Sequence, residues 1–135
     1  MKFDYRKYGS GEETIEHPAF KLHLVNPLNQ KLFADYVVLV DSGATNCIFH
    51  AVVGEAIGID VKSGSRVLYR GVSKEIMQYF AHKVTLIIGT HSFETEVGFS
   101  YDHDFPFGLL GQVGFFEKFR VCFDKSKSEF EITPK

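Results

Sequence analysis

The most constraining feature of this sequence is an apolar run that ends abruptly in an acid. Residues 37–40 are Val-Val-Leu-Val, and Asp41, Ser42 and Gly43 follow directly. Such a run, rich in β-branched residues, predicts a buried strand. A carboxylate at the end of a buried strand is costly unless it is hydrogen-bonded or paired, and Gly43 permits a tight turn beside it. The pattern suits a rigid strand that presents one acid at the floor of a cleft, although a surface turn capped by Asp41 and Ser42 fits the same residues.

Short segments of alternating polarity recur along the chain and predict a single all-β domain. The 135 residues suffice for one hydrophobic core. We expect about ten short strands, with short helices near 51–57 and 112–117, and regularly spaced short strands are typical of a barrel or sandwich. Residues 1–18 are polar and mixed, so we interpret them as an N-terminal arm ahead of a domain at 19–135.

Two hairpins are predicted on either side of the acidic segment and its short helix. Residues 20–40 form the first hairpin, which ends at the acid. Strands at 66–69 and 76–80 flank a polar tip that contains Gly71, and 84–88 is predicted as a further, separate strand.

Composition and motif spacing exclude several functional classes. A net charge of −2, with Lys and Arg dispersed, argues against a nucleic-acid surface. Neither a membrane span nor the apolar core of a signal peptide occurs, so we expect a cytoplasmic protein without membrane association. The six histidines show no paired ligand spacing. The best metal candidate, Asp102-His103-Asp104, is interpreted as a solvated loop, and we expect neither a metal nor a cofactor.

The two cysteines do not indicate a metal or redox site. Cys47 and Cys122 are far apart in sequence and each lies in an apolar run. Buried free thiols are favoured over a disulfide. Cys47 lies near Asp41 and could be a nucleophile only with a base that the sequence does not identify, so core packing is the preferred interpretation.

A second motif follows further along the chain. After Asp41-Ser42-Gly43-Ala44-Thr45 and the glycine-tipped hairpin comes Gly108-Leu109-Leu110-Gly111. Together these three elements resemble the retropepsins, the single-domain aspartic proteases of retroviruses and their cellular relatives. The likeness runs from about Phe20 to about Ile132, and residues 57–64 and 97–101 are similar to small bacterial and archaeal members.

The resemblance implies a fold, an activity and a set of site residues. The implied fold is an all-β, partly closed β-barrel of the acid-protease type, with one or two short helices and one lobe per chain. The implied activity is that of an aspartic endopeptidase in which Asp41 is catalytic. Ser42 matches the hydroxyl residue that hydrogen-bonds across the dimer, and Gly43 matches the glycine whose backbone meets substrate. The remaining matches are the loop residues Ala44 and Thr45, the crossing strand Leu109, Leu110 and Gly111, and the flap Arg70, Gly71, Val72 and Ser73.

Two departures from the retroviral pattern concern the flap and the dimer. The tip at 70–75 is poorer in glycine than retroviral flaps, which bears on flap motion. Gln112 stands where many viral enzymes carry an arginine, so their dimer-stabilising ion network is expected to be absent.

The chemistry requires two chains. Peptide hydrolysis by this route uses two carboxylates around one water, and like charges at that separation share a proton. The sequence contains one Asp-Ser-Gly and no second copy, so a protease would need a two-fold homodimer acting on a peptide or protein substrate. The alternative is a retropepsin-fold protein-binding or assembly module with little or no turnover, because a fold does not determine a function.

Overall fold

The computed structural model describes residues 1–70 and 74–135, and within these ranges the chain forms twelve strands and one α-helix. The helix α1 spans Ala51–Ala56. The strands are β1 (Lys2–Asp4), β2 (Arg6–Tyr8), β3 (Ile15–His17), β4 (Ala19–Asn26), β5 (Asn29–Val40), β6 (Ile48–His50), β7 (Ser65–Arg70), β8 (Ile76–Ile88), β9 (His91–Ser100), β10 (Gly108–Leu110), β11 (Phe119–Asp124) and β12 (Glu129–Pro134).

The main sheet closes on itself. Its strand order is β4-β5-β10-β6-β9-β8-β7, and β8 also pairs with β4, which joins the two sides into a ring. Residues 23–25 of β4 lie opposite 85–87 of β8 at this closure. The predicted all-β class is confirmed.

The long strand β8 corrects the sequence prediction of separate strands at 76–80 and 84–88. Its first half, Ile76–Ala81, pairs with β7, and residues 85–87 pair with β4. Strand β9 pairs with residues 80–88 and spans the predicted break. Because its pairing with β9 is continuous, β8 stays extended where its partner on the other edge changes from β7 to β4.

One of the two predicted helices is present. His50 caps α1, because its Nδ1 accepts a hydrogen bond from the Val52 amide at 3.0 Å. The helix predicted at 112–117 is wrong, since these residues form successive turns. Gly114 has φ +98°, which lies outside the right-handed helical region and interrupts any helix there.

Two smaller sheets involve the chain ends. Strand β12 lies between β1 and β11, whereas β2 and β3 pair only with each other among residues 1–70 and 74–135. Within the described residues, no helix is long and apolar enough to cross a membrane.

Phenylalanine side chains dominate the core. Five of them are among the largest fully buried side chains: Phe49, Phe99, Phe115, Phe119 and Phe130. Each contributes roughly 1.5–3 kcal/mol on burial. Cys47 is buried as predicted, but Cys122 is exposed, and both are free thiols. Residues alternate between the faces of a strand, and Cys122 falls on the outer face of β11.

Candidate active site

Asp41 follows β5 at a point where the backbone is held on its neighbour. Strand β10 pairs in parallel with the end of β5, so that Leu109 lies opposite Leu39. The Asp41 amide then donates to the Leu110 carbonyl at 3.0 Å. The acid therefore emerges from paired backbone rather than from a free loop end.

A tight turn orients the Asp41 carboxylate. The Gly43 amide donates to Asp41 Oδ1 at 2.9 Å, and the Ala44 amide donates to the Asp41 carbonyl at 3.1 Å. A backbone N–H that donates to a carboxylate makes a charge-assisted hydrogen bond, stronger than a neutral one. Asp41 as a whole is partly exposed.

The segment after β10 crosses behind this turn and locks it. The Gln112 amide donates to the Ala44 carbonyl at 2.9 Å, and the Val113 amide donates to the Thr45 carbonyl at 2.8 Å. The Gln112 side-chain amide also donates to the Ser42 carbonyl at 2.7 Å. Gln112, where an arginine is common in viral enzymes, thus supports the turn within its own chain.

Gly111 is the point of closest approach in the crossing. A Cβ on this residue would lie 2.5 Å from the Asn46 carbonyl oxygen and 2.7 Å from the Ala44 carbonyl oxygen. Both are backbone atoms, and the hydrogen bond from the Gln112 amide holds the Ala44 carbonyl in place, so only glycine fits here.

Cys47 packs at the same crossing. Its sulfur accepts a hydrogen bond from the Gly111 amide at 3.4 Å, and its thiol donates to the Val113 carbonyl at 3.5 Å. Burial raises the pKa of the Cys47 thiol to about 11. The thiol is therefore protonated and inert at neutral pH, which supports core packing over nucleophilic catalysis.

Two adjoining cavities, of about 370 Å³ and about 450 Å³, open onto Asp41. They share Asp41, Ile48, Tyr69 and Leu109 as lining residues. The larger is completed by the Asp41 turn and Arg70, and the smaller by the loop at 102–105. Asp41 therefore lies in a cleft, at the place where the two cavities meet.

The hairpin of β7 and β8 covers one side of this cleft. Burial raises the pKa of the Tyr69 phenol above its ordinary value, and the nearby Asp102 and Asp104 carboxylates add to the rise. Tyr69 is thus a neutral phenol at pH 7, facing the cavity. Exposed Arg70 ends β7 at the cleft. The other predicted flap residues, 71–73, lie outside the described residues.

The loop at 102–107 supplies another wall of the cleft through its residues 102–105, and the sequence prediction missed this role. His103 is only 7% exposed, and its Nε2–H donates to the Phe107 carbonyl at 2.6 Å. Burial lowers the pKa of His103 below its usual value, so the ring is neutral at pH 7. The prediction of a solvated loop is therefore wrong for His103, which is buried. The presence of Phe105 and Phe107 in this segment could have indicated that part of the loop packs against the protein.

The site residues assigned by resemblance lie in a single region of the structure, except for residues 71–73, which are outside the described residues. Gly43, Ala44 and Thr45 line the larger cavity with Asp41. Ser42 is exposed beside them, Leu109 lines both cavities, and Leu110 and Gly111 lie buried behind the turn. Across residues 1–70 and 74–135, no three His, Cys, Asp or Glu side chains are grouped closely enough to hold a metal ion.

Comparison with solved structures identifies a shared fold. The chain is similar to a retropepsin-like aspartic protease from Rickettsia conorii, with a TM-score of 0.61, 15% sequence identity, and coverage of 98% of this chain and 94% of that one. It is also similar to the EIAV protease complexed with an inhibitor, with a TM-score of 0.54, 17% identity, and coverage of 78% and 88%. No protein-family model and no curated protein matches the sequence. The predicted retropepsin-like fold is confirmed.

Proposed function

We propose that the chain is an aspartic endopeptidase that acts as a two-fold homodimer. The observation that carries this proposal is the position of Asp41. It follows a paired strand, its carboxylate accepts a backbone hydrogen bond, and it lies in a cleft between a hairpin and a loop. The fold is one that known aspartic proteases share.

The reaction needs Asp41 of one chain and Asp41 of the partner subunit around a single water. The ionised carboxylate takes a proton as the water attacks the peptide carbonyl carbon, and the protonated one hydrogen-bonds the carbonyl oxygen. Collapse of the tetrahedral intermediate breaks the C–N bond, and the carboxyl that took the water's proton passes it to the leaving nitrogen. The two carboxyls share one proton because like charges so close cannot both ionise, and their titration belongs to the pair.

The surrounding residues supply support and substrate contacts in this proposal. Gly43 has no side chain, so an extended peptide can approach the turn closely. Exposed Ser42 reaches the partner subunit beneath the two acids, and Arg70 to Ser73 form the flap. Apolar lining residues such as Ile48 and Leu109 favour apolar substrate side chains. No cofactor is required, and residues 1–18 act as an arm to the catalytic domain of a cytoplasmic enzyme.

The direct test is Asp41→Asn, which keeps the size of the side chain while removing the acid. Loss of a central acid–base group typically lowers the rate at least about a hundredfold. A peptide-library digest over a range of pH, with sedimentation measured in parallel, compares this variant with wild type. The control is Asp35→Asn, which removes an exposed carboxylate from the same strand and should leave cleavage unchanged.

The outcomes separate the two functions. Equal cleavage by wild type and Asp41→Asn would mean that another group is responsible. A well-formed dimer in which neither protein cleaves would favour the alternative, a protein-binding or assembly module.

The homodimer is tested through Ser42. Ser42→Ala should weaken dimerisation and activity together, and Ser42→Thr, which retains a hydroxyl, should restore both. If the hydroxyl makes only a contact within its own turn, thermal stability alone should change, and dimer dissociation measured by sedimentation distinguishes the cases.

A further inference from the structure

The ribbon formed by β2 and β3 is separate from the other sheets. Arg6 pairs with His17, and Tyr8 pairs with Ile15. Opposed residues in an antiparallel pair share a face, and alternate residues along a strand do so too. Tyr8 and His17 therefore lie on one face, and Glu16 lies on the other. A two-stranded ribbon is marginally stable alone, so its contacts on these faces hold it in place.

The Glu16 face is fastened to the turn between β11 and β12. Glu16 Oε2 accepts a hydrogen bond from the Ser128 hydroxyl at 2.6 Å, and Lys125 Nζ lies 3.7 Å from the same oxygen. At the end of the ribbon, the Pro18 carbonyl accepts from the Val40 amide at 2.9 Å. Val40 directly precedes the candidate catalytic acid, so the ribbon is tied to the strand that carries it.

The other face packs edge-on against the cleft wall. The Tyr8 and Phe107 ring centroids are 5.4 Å apart with planes at 71°. His17 lies 6.0 Å from Phe107 and 6.5 Å from Phe105, again edge to face. Phe105 lines the smaller cavity together with Asp41. The ribbon therefore contacts Phe105, which also lines the cleft.

The wall has little regular structure of its own. Residues 101–107 belong to no strand or helix. Asp102 Oδ2 accepts from the Gln78 amide at 3.0 Å, which fixes the start of the loop on β8, and the His103 bond to Phe107 closes it. The ring of Phe105 lies between these points and contacts His17, His103 and Phe107.

We infer that the β2–β3 ribbon braces the cleft wall, with Tyr8 and His17 as positioning residues that set the width of the cleft beside Asp41. His17 holds Phe105 directly, and Tyr8 holds it through Phe107. The ribbon touches no reacting atom, so it acts on substrate binding rather than on the chemical step. The consequence for substrate rests on the proposed function, whereas the bracing of the wall does not.

The test uses Tyr8→Ala and His17→Ala, with two matched controls. Tyr8→Phe keeps the ring and removes the hydroxyl, and Lys7→Ala truncates an exposed side chain on the opposite face of the ribbon. The first readout is amide hydrogen exchange of residues 102–110 in the full chain, measured by mass spectrometry. The two truncations should raise exchange in this segment without raising it in core strand β9, while both controls match wild type.

The second readout is kinetic and uses a peptide selected because wild type cleaves it. Loss of the edge-on contacts should raise KM about fivefold and change kcat by less than about twofold. Tyr8→Phe should retain the wild-type KM. A merely structural effect would instead lower the fraction of folded protein and reduce the apparent kcat.

The results decide the two parts separately. Unchanged exchange at 102–110 in both truncations, or an equal rise in Lys7→Ala, would overturn the brace. Faster exchange with an unchanged KM would overturn its effect on substrate. If wild type cleaves nothing, the proposed function fails while the exchange data still decide the brace. If Tyr8→Ala fails to fold, Tyr8→Leu and His17→Ala carry the same comparison.

Discussion

The turn at 41–46 and the loop at 102–107 border the same cleft but are built in different ways. The turn is held by main-chain hydrogen bonds from the segment after β10, supplemented by the Gln112 side chain. The loop is held mainly by side chains, through His103 and the aromatic rings around Phe105. Main-chain geometry is insensitive to most substitutions, whereas side-chain packing changes with each one.

This difference matches what each region would have to do. A group that takes part in chemistry needs a fixed position, since small displacements lower the rate strongly. A wall that contacts substrate side chains can vary without loss of the reaction. The contrast predicts that few substitutions damage the turn, and that those which do act through backbone contacts.

The largest expected effect is at Gly111. Gly111→Ala places a Cβ 2.5 Å from the Asn46 carbonyl oxygen, and overpacking against fixed backbone should lower the unfolding free energy by about 3 kcal/mol. Urea unfolding at a fixed protein concentration measures this. Gly43→Ala is the control, because among the residues that the structure describes its Cβ would meet only Asp41 Oδ1, at 3.3 Å. Equal losses of unfolding free energy in the two variants would contradict the inference that the backbone is packed more tightly at Gly111 than elsewhere in the turn.

A smaller and pH-dependent effect is expected from His103 in the loop. Burial lowers the folded-state pKa of His103 below its ordinary value of 6.5 and outweighs the hydrogen bond to the Phe107 carbonyl, which acts in the opposite direction. The unfolded chain therefore binds more protons than the folded one as pH falls below 6.5, so this contribution to stability declines until pH reaches the lowered pKa.

His103→Gln removes this titration and should flatten the decline in unfolding free energy between pH 7 and pH 5.5. The variant should also lose about 1–3 kcal/mol at pH 7, where the buried hydrogen bond to Phe107 is disturbed. Parallel urea titrations at the two pH values check both effects. A slope identical to that of wild type would show that other groups cause the pH dependence.

The Gln112 side chain should stabilise the turn by about as much as one hydrogen bond. Gln112→Ala removes the donor to the Ser42 carbonyl and should cost about 1 kcal/mol, since that carbonyl is exposed and regains water. Thermal or urea unfolding of this variant checks the value. A loss as large as that of Gly111→Ala would contradict the view that main-chain contacts hold the turn.

The smallest effect is expected for the exposed thiol. Cys122→Ser should leave the unfolding free energy within about 0.5 kcal/mol of wild type. A thiol reagent should label Cys122 first and Cys47 only when the crossing opens, because burial raises the pKa of Cys47 to about 11. Rapid labelling of both thiols in native protein would mean that the crossing is loose.

The candidate site was predictable where its residues are close in sequence or form a recognisable motif. The run at 37–40 indicated its own strand, and the acid, turn and glycine of 41–43 follow without interruption. The local sequence pattern gave wrong predictions where the backbone conformation depends on neighbouring strands or on the conformation of a single residue. The continuity of β8 across residues 81–83 depends on β9, and the missing helix at 112–117 depends on the conformation of Gly114.

The sequence by itself determined the all-β class, the strand that ends at Asp41 and the glycine at 111, because alternation, β-branching and glycine express local backbone preferences. Only the tertiary structure decided that His103 is buried and that His17 packs against Phe105. The His17–Phe105 contact joins segments far apart in the chain, and the loop that carries His103 is held on β8 through the bond between Asp102 and Gln78. Their positions follow from how the strands pair around the ring, and no local preference encodes that pairing.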